Sequence, residues 1–239
     1  MALLAVPPSS DVLRTAQDFN DLYATQDPWR VDGHGFRTKA LRRAIGRYVA
    51  GRRVLELGCG EGNLTGTIFA DAALVHGVDI SDVAVARARR RGLHHATFEI
   101  SDMLRVETRG YDVIALIEAL YYLDVAEQDQ LLARIAGQHR GVTIISAPIT
   151  GGKYFTDGDL RETFRRHGLR LIEARNLSVD FSTPARLLLG QAIRRCGSAS
   201  MLDLLPERFV RQRIYVLWSG GEHDKEGRRP RAAPSAHIP

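Results

Sequence analysis

The chain has 239 residues, 44% hydrophobic and 26% charged, which is ordinary globular usage and excludes a chain disordered throughout. Lys and Arg number 33 against 28 Asp and Glu, a net charge of +5 that permits an acidic partner without requiring one. No stretch approaches the ~18 uninterrupted apolar residues of a membrane helix, and the opening MALLAVPPSS lacks the basic start of a secretory signal. Cys59 and Cys196 lie far apart with no CxxC pair. That spacing speaks against a zinc site and a disulfide framework and is expected of a protein of the reducing cytoplasm.

In chain order, a first helix is expected from Asp11, with Val12, Ala16, Phe19 and Tyr23 on one face. Asp27-Pro28-Trp29 breaks it, and Gly33-His34-Gly35 marks a loop. A second amphipathic helix carries Leu41, Ala44, Ile45, Tyr48 and Val49, and Gly51 ends it. Arg53–Leu57 reads as a strand, Gly58-Cys59-Gly60-Glu61-Gly62 as a tight turn, and Asn63–Ala70 as a helix. A second strand starts at Leu74 and ends in Asp79. Ser81 caps a helix Asp82–Arg91, which Gly92 closes. Ala96–Ile100 and Tyr111–Ile117 are the third and fourth strands, the latter apolar on both faces. A helix Val125–Gln138, a fifth strand Val142–Ser146, a helix Asp157–His167 and a long sixth strand Leu169–Phe181 follow. Thr183-Pro184 starts a further helix, and Arg208–Trp218 returns as a last strand, expected antiparallel at the sheet edge.

Strands alternating with helices imply βαβ units. The expected fold is α/β: a Rossmann-like, doubly wound, mostly parallel seven-stranded sheet with an N-terminal helical cap. Residues 1–50 are expected to be the cap, 51–219 the sheet domain with 182–207 inserted before the last strand, and 220–239 a disordered tail.

The first strand-turn-helix carries the chemistry. Glu56-Leu57-Gly58-Cys59-Gly60-Glu61-Gly62 is E-x-G-x-G-x-G. Glycines admit positive φ and leave no Cβ between main chain and ligand, at the edge where open α/β sheets bind ligands. Asp79, at the end of the second strand, suits ribose hydroxyls. A dinucleotide site wants G-x-G-x-x-G with its diphosphate on a helix N-terminus. Here the third glycine comes one residue early, and Glu61 inside the loop repels a diphosphate. A phosphate-free ligand such as S-adenosylmethionine tolerates both.

VLELGCGEGNLT, GVDIS, the acidic Asp102 after the third strand and YDVIALIEALYYL after it resemble the class I S-adenosylmethionine-dependent methyltransferases over about Arg52 to Phe181. The resemblance places Glu56, Gly58 and Gly60 at the cofactor's methionine and ribose part. It implies Asp79 at the ribose, Ile80 against the adenine, Asp102 at the adenine amino group and Met103 stacked beside it. Tyr23-Ala24-Thr25-Gln26-Asp27-Pro28-Trp29-Arg30 and Glu118-Ala119-Leu120-Tyr121-Tyr122-Leu123 are similar to the rhizobial Nod-factor N-methyltransferases, which methylate the free amine of a de-N-acetylated chitooligosaccharide. That likeness implies Trp29 in a lid over the cofactor. Lys39 and Arg37 are expected to reach the methionine carboxylate. His34 is a possible base.

Glu118, at the end of the fourth strand, is the best-placed catalytic carboxylate, either taking a proton from the nucleophile or holding an amine and stabilising the developing cation. Tyr121 and Tyr122 are candidates for stacking on the substrate or donating a phenol to it. Base-amine nucleic-acid methyltransferases carry an Asn/Asp-Pro-Pro-Tyr-type run here, and Glu118-Ala119-Leu120-Tyr121 speaks against nucleic acid. The expected reaction is methyl transfer to a small polar acceptor, first an amine on a sugar or oligosaccharide, next an oxygen of a small metabolite. A NAD-binding oxidoreductase and a non-catalytic cofactor-binding module are the readings outside that class.

Overall fold

Alternating apolar strands and amphipathic helices build one seven-stranded sheet in the computed structural model of the chain, which describes residues 14–29, 35–152, 154–179, 183–196 and 199–220. The strands are β1 (Arg53–Leu57), β2 (Leu74–Asp79), β3 (Ala96–Ile100), β4 (Val113–Ile117), β5 (Gly141–Pro148), β6 (Arg170–Val179) and β7 (Val210–Ser219). The helices are α1 (Ala16–Leu22), α2 (Gly35–Val49), α3 (Thr65–Ile68), α4 (Asp82–Arg90), α5 (Val125–Gln138), α6 (Asp157–Arg166) and α7 (Pro184–Cys196). The strand order is β3-β2-β1-β4-β5-β7-β6. β1 to β5 pair in parallel, and β7 runs antiparallel between β5 and β6.

Period-two alternation explains why β4 is apolar on both faces. Val113, Ala115 and Ile117 join a core under α2 with Leu41, Ile45 and Val49, while Ile114 and Leu116 join the opposite core with Leu131, Leu132 and Ile135 of α5. Side chains close the helix starts. Ser81 Oγ accepts the Ala84 N–H at 3.1 Å, and Asp124 with Glu127 and Thr156 with Asp159 form capping boxes, each such cap contributing about 1 kcal/mol.

Two expectations are corrected. The last strand does not lie at the sheet edge. The α6 crossover carries the chain from β5 past one vacant strand position to β6, and β7 fills that position; β6, with its half-exposed pattern, is the edge. The helix expected over Asn63–Ala70 is confined to Thr65–Ile68. Gly66 weakens it, and the Thr65 hydroxyl is drawn to Glu56 at 2.6 Å. The first helix begins at Ala16, capped by Thr15; Asp11 and Val12, His34 and the tail from 221 lie outside the described residues. In the segment before β7, a 3-10 turn Ala199–Leu204 packs on β6, with Asn176 Nδ2 donating to the Leu202 carbonyl at 2.9 Å. Among the described residues no helix is long and apolar enough to cross a membrane.

Candidate active site

After β1 the chain turns to β2 on one side, and after β3 it returns to β4 on the other, so the crevice of a doubly wound sheet opens between the ends of β1 and β4. A cleft of about 270 Å³ lies there, lined from Asp79 and Ile80 after β2 to Arg211 and Gln212 of β7. Its floor is the glycine turn. Gly58 and Gly60 have φ of +78° and +53°. A Cβ on Gly58 would stand 2.9 Å from the Ala119 Cβ, and one on Gly60 2.6 Å from the Tyr23 hydroxyl oxygen. Only bare main chain fits between these neighbours.

Asp79 is buried beside this turn. Its Oδ2 accepts the Gly60 N–H at 2.8 Å and its Oδ1 the Ser81 N–H at 3.0 Å. Burial pushes its carboxyl above the usual carboxylate range, against the pull of the Ser81, Gly60 and Ile80 main-chain donors. Beyond it, Ile80, Asp102 and Met103 line the cleft. Asp102 Oδ1 accepts the Leu104 N–H at 2.8 Å. Arg134 of α5 donates to the carbonyls of Met103 and Leu104, fixing that loop from behind.

The N-terminal segment covers the turn. Tyr23 is buried over Gly60, and Trp29 Nε1 donates to its hydroxyl at 3.3 Å. Ser81 Oγ donates to Asn20 Oδ1 at 2.6 Å, Asn63 Nδ2 to Asp27 Oδ1 at 3.1 Å, and the Asp27 N–H to Glu61 Oε2 at 2.8 Å. Glu61 is also paired with Arg87. The loop carboxylate is therefore a clasp for the segment above it.

Glu118 has a φ of +58°. Its N–H donates to Ser146, at 3.1 Å from both the carbonyl and the hydroxyl oxygen. The Ser146 hydroxyl donates to Glu118 Oε1 at 2.8 Å, and Gln212 Nε2 to Oε2 at 2.8 Å. Arg37 of α2 stands 3.6 Å from Oε1 and donates from Nε to Gln212 Oε1 at 3.3 Å. Around this carboxylate gather Tyr121, Tyr122 and Tyr154, with ring centroids 4.6 Å apart for the first pair and 5.7 Å for Tyr121 and Tyr154. Phe19 meets Tyr122 edge-on at 5.3 Å and Trp29 lies 6.0 Å from it. Burial pushes both the Tyr121 and Tyr122 phenols upward, so at neutral pH they are donors.

Of the residues singled out from the sequence, Trp29, Gly58, Gly60, Asp79, Ile80, Asp102, Met103, Glu118, Tyr121 and Tyr122 line this one cleft. Glu56 does not. It is enclosed beneath the turn on Thr65, and burial pushes its carboxyl up to about 8, reinforced by the charge of Asp79. Lys39 is exposed on α2, while Arg37, two residues earlier, faces the cleft. Sequence reasoning missed Asn63, Ser146, Arg211 and Gln212. The last two come from β7, and nothing local to that strand signals that it runs beside β5.

Comparison with known proteins bears on the fold. A family model described as a methyltransferase domain matches residues 54–139. Nodulation protein S of Rhizobium tropici is 31% identical over 127 residues, 49% of this chain and 53% of that protein. Trans-aconitate 2-methyltransferase of Mycolicibacterium gilvum is 34% identical over 102 residues, 42% of this chain and 38% of that one. The chain thus spans about half the length, or less, of these curated relatives. Among solved structures, N-methyltransferase NodS from Bradyrhizobium japonicum WM9, in complex with S-adenosyl-L-homocysteine, superposes with a TM-score of 0.64 at 18% identity, over 87% of this chain and all of that one. The chain has the fold of the class I S-adenosylmethionine-dependent methyltransferases and is related, at low identity, to the NodS-like proteins.

Proposed function

We propose that the chain transfers a methyl group from S-adenosylmethionine to a small polar acceptor, first an amine on a sugar or oligosaccharide. The observation that carries this reading is a glycine turn with no seat for a diphosphate. The glycine turn leads into α3, four residues long, too short for the aligned dipole that holds a diphosphate. What the turn does offer is bare main chain at the floor of the cleft and a buried carboxylate, Asp79. These residues fit an adenosyl ligand without phosphates. Asp79 would hold the ribose hydroxyls, Ile80 and Met103 would flank the adenine, Asp102 would take its amino group, and Tyr23 with Trp29 would cover it. When bound, the cofactor supplies an electrophilic methyl on a sulfonium.

The chain's own part is positioning, which supplies roughly 7–11 kcal/mol in well-oriented reactions. Glu118 is fixed by Ser146 and Gln212 and keeps lone pairs for an acceptor N–H or O–H, so it anchors the nucleophile and balances the positive charge that grows on it. The aromatic wall of Tyr121, Tyr122, Phe19 and Trp29 suits a sugar face or a cationic amine. A second reading, methylation of an oxygen, draws on Arg211, which lines the cleft and suits an acidic acceptor, as does the likeness to a trans-aconitate 2-methyltransferase. Both readings take a small-molecule or oligosaccharide partner rather than a nucleic acid, with residues 1–50 as the cap.

The test is a product analysis. The full chain is incubated with S-adenosylmethionine and a panel of amino sugars, oligosaccharide amines, alcohols and carboxylates, and products are located by fragmentation mass spectrometry. Methyl on nitrogen is expected. Methyl on oxygen alone favours the second reading. No S-adenosylhomocysteine formed with any acceptor, together with no calorimetric heat on adding that product, overturns both.

A further inference from the structure

Most charged side chains that line the cleft already have an opposite charge beside them. Glu61 pairs with Arg87, Arg37 with Glu118 at 3.6 Å, Arg14 with Asp124 at 3.4 Å, and Asp102 with Arg105 at 3.7 Å. Two remain. One is Asp79, held by main-chain N–H groups and suited to a diol. The other is Arg211, half-buried in the cleft wall, whose guanidinium has no carboxylate or aromatic partner among the described residues.

The topology puts these two at opposite ends. β7 is antiparallel, so its first residues lie at the edge where the parallel strands finish, and Gln212 pairs with Pro148, the last residue of β5. The main chain at Arg211 is fixed there, its carbonyl accepting the Ile149 N–H at 2.9 Å. From β2 to β7 the order is β2-β1-β4-β5-β7, four steps of ~4.8 Å, or roughly 19 Å. Glu118 ends the middle strand of the five. Arg211 therefore stands on the far side of Glu118 from Asp79, on the acceptor's side of the cleft. A half-buried guanidinium loses part of its hydration, an anion compensates that loss best, and its planar donors match a carboxylate or phosphate.

We infer that Arg211 is an anion subsite of the acceptor: the molecule methylated beside Glu118 also carries a carboxylate or phosphate group, which Arg211 binds. The inference rests on the methyltransferase reading and adds the charge of its substrate. Arg37 does not fill this role, because it is engaged with Glu118 and Gln212.

The experiment is calorimetry on the full chain in two stages. S-adenosylhomocysteine is titrated first into the wild type, Arg211→Gln and Arg211→Lys, and each protein is also melted to verify its fold. The saturated proteins then receive glucosamine, glucosamine 6-phosphate or 2-amino-2-deoxyglucuronate. Expected are equal S-adenosylhomocysteine affinities in all three proteins and, in the wild type, binding of one or both anionic sugars about tenfold or more tighter than glucosamine. Arg211→Gln loses that advantage and Arg211→Lys keeps part of it, and the sugar whose advantage is lost identifies the anion. Equal binding of the three sugars, an advantage that survives Arg211→Gln, or no heat from any of them overturns the subsite while leaving methyl transfer standing. A fall in S-adenosylhomocysteine affinity with Arg211→Gln assigns the guanidinium to the cofactor instead and also overturns it. No heat from S-adenosylhomocysteine in the wild type removes the methyltransferase reading and the subsite with it.

Discussion

Glu118 occupies a left-handed backbone conformation, φ +58°, that costs a residue with a Cβ roughly 1–3 kcal/mol. The surroundings hold it there at both ends: Ser146 receives its N–H and donates to Oε1, and Gln212 donates to Oε2. A strained residue whose side chain is fixed in a cleft is suited to presenting an anion at one point. Glu118→Gln keeps the shape and removes the charge, so kcat is expected to fall about 10²–10³-fold while the S-adenosylhomocysteine Kd stays within about twofold. Unchanged turnover in a steady-state assay would return Glu118 to a purely structural part. Glu56 makes a second, independent prediction. Enclosure beneath the turn pushes its carboxyl from the usual 4.5 up to about 8. Between those values the folded chain keeps a proton that the unfolded chain has released. The stabilisation is complete below pH 4.5 and is lost as pH rises towards 8. Melting midpoints of the wild type are therefore expected to fall more steeply from pH 5 to pH 8 than those of Glu56→Gln. Parallel curves would show that Glu56 is charged in the folded protein.

At the scale of elements, α1 is seven residues long and buries no residue fully, too little to be helical alone. It is placed by the edge-on contact of Phe19 with Tyr122, by Asn20 on Ser81 and by the clasp of Asp27 on Asn63 and Glu61. Phe19→Ala removes one aromatic contact from a segment that covers the cleft. The S-adenosylhomocysteine Kd is expected to rise about three- to tenfold, with little change in the melting midpoint of the free protein. A lowered midpoint with an unaltered Kd would make α1 part of the core rather than a cover. Much at this scale was legible from sequence because it is local. The Ser81 cap, the glycine turn ending β1 and the start of β2 at Leu74 depend on residues within a few positions of one another. What was not legible depends on partners far along the chain. Gln212 reaches Glu118 only because β7 enters the position between β5 and β6, and an alternating strand pattern is the same inside a sheet as at its edge. The shortening of α3 likewise follows from Thr65 turning to Glu56 on another element. The positive φ of Glu118 has no local signal, since the residue type argues against it.

For the whole molecule, two apolar cores clamp the sheet from both faces, and the strand ends are left as the place where polar side chains converge on one cleft. The class of fold was legible because alternating strands and helices admit few arrangements; the order of the last two strands was not, because the α6 crossover fits equally well with or without a vacant position. Since the cleft is built around a carboxylate rather than a phosphate seat, ligand choice can be read from stability. Ligand at about a hundred times its Kd adds about 2.7 kcal/mol, which for a chain of 239 residues is roughly 5–10 °C in Tm. S-adenosylhomocysteine is expected to give a rise of that order. NAD is expected to give none, because the turn offers its diphosphate only the start of a four-residue helix. Asp79→Ala removes the proposed diol acceptor and should abolish the rise, whereas Lys39→Ala, on the exposed face of α2, should leave it intact. A shift with NAD, or an undiminished shift in Asp79→Ala, would mean that the cleft recognises a different ligand from the one its carboxylate and bare main chain describe.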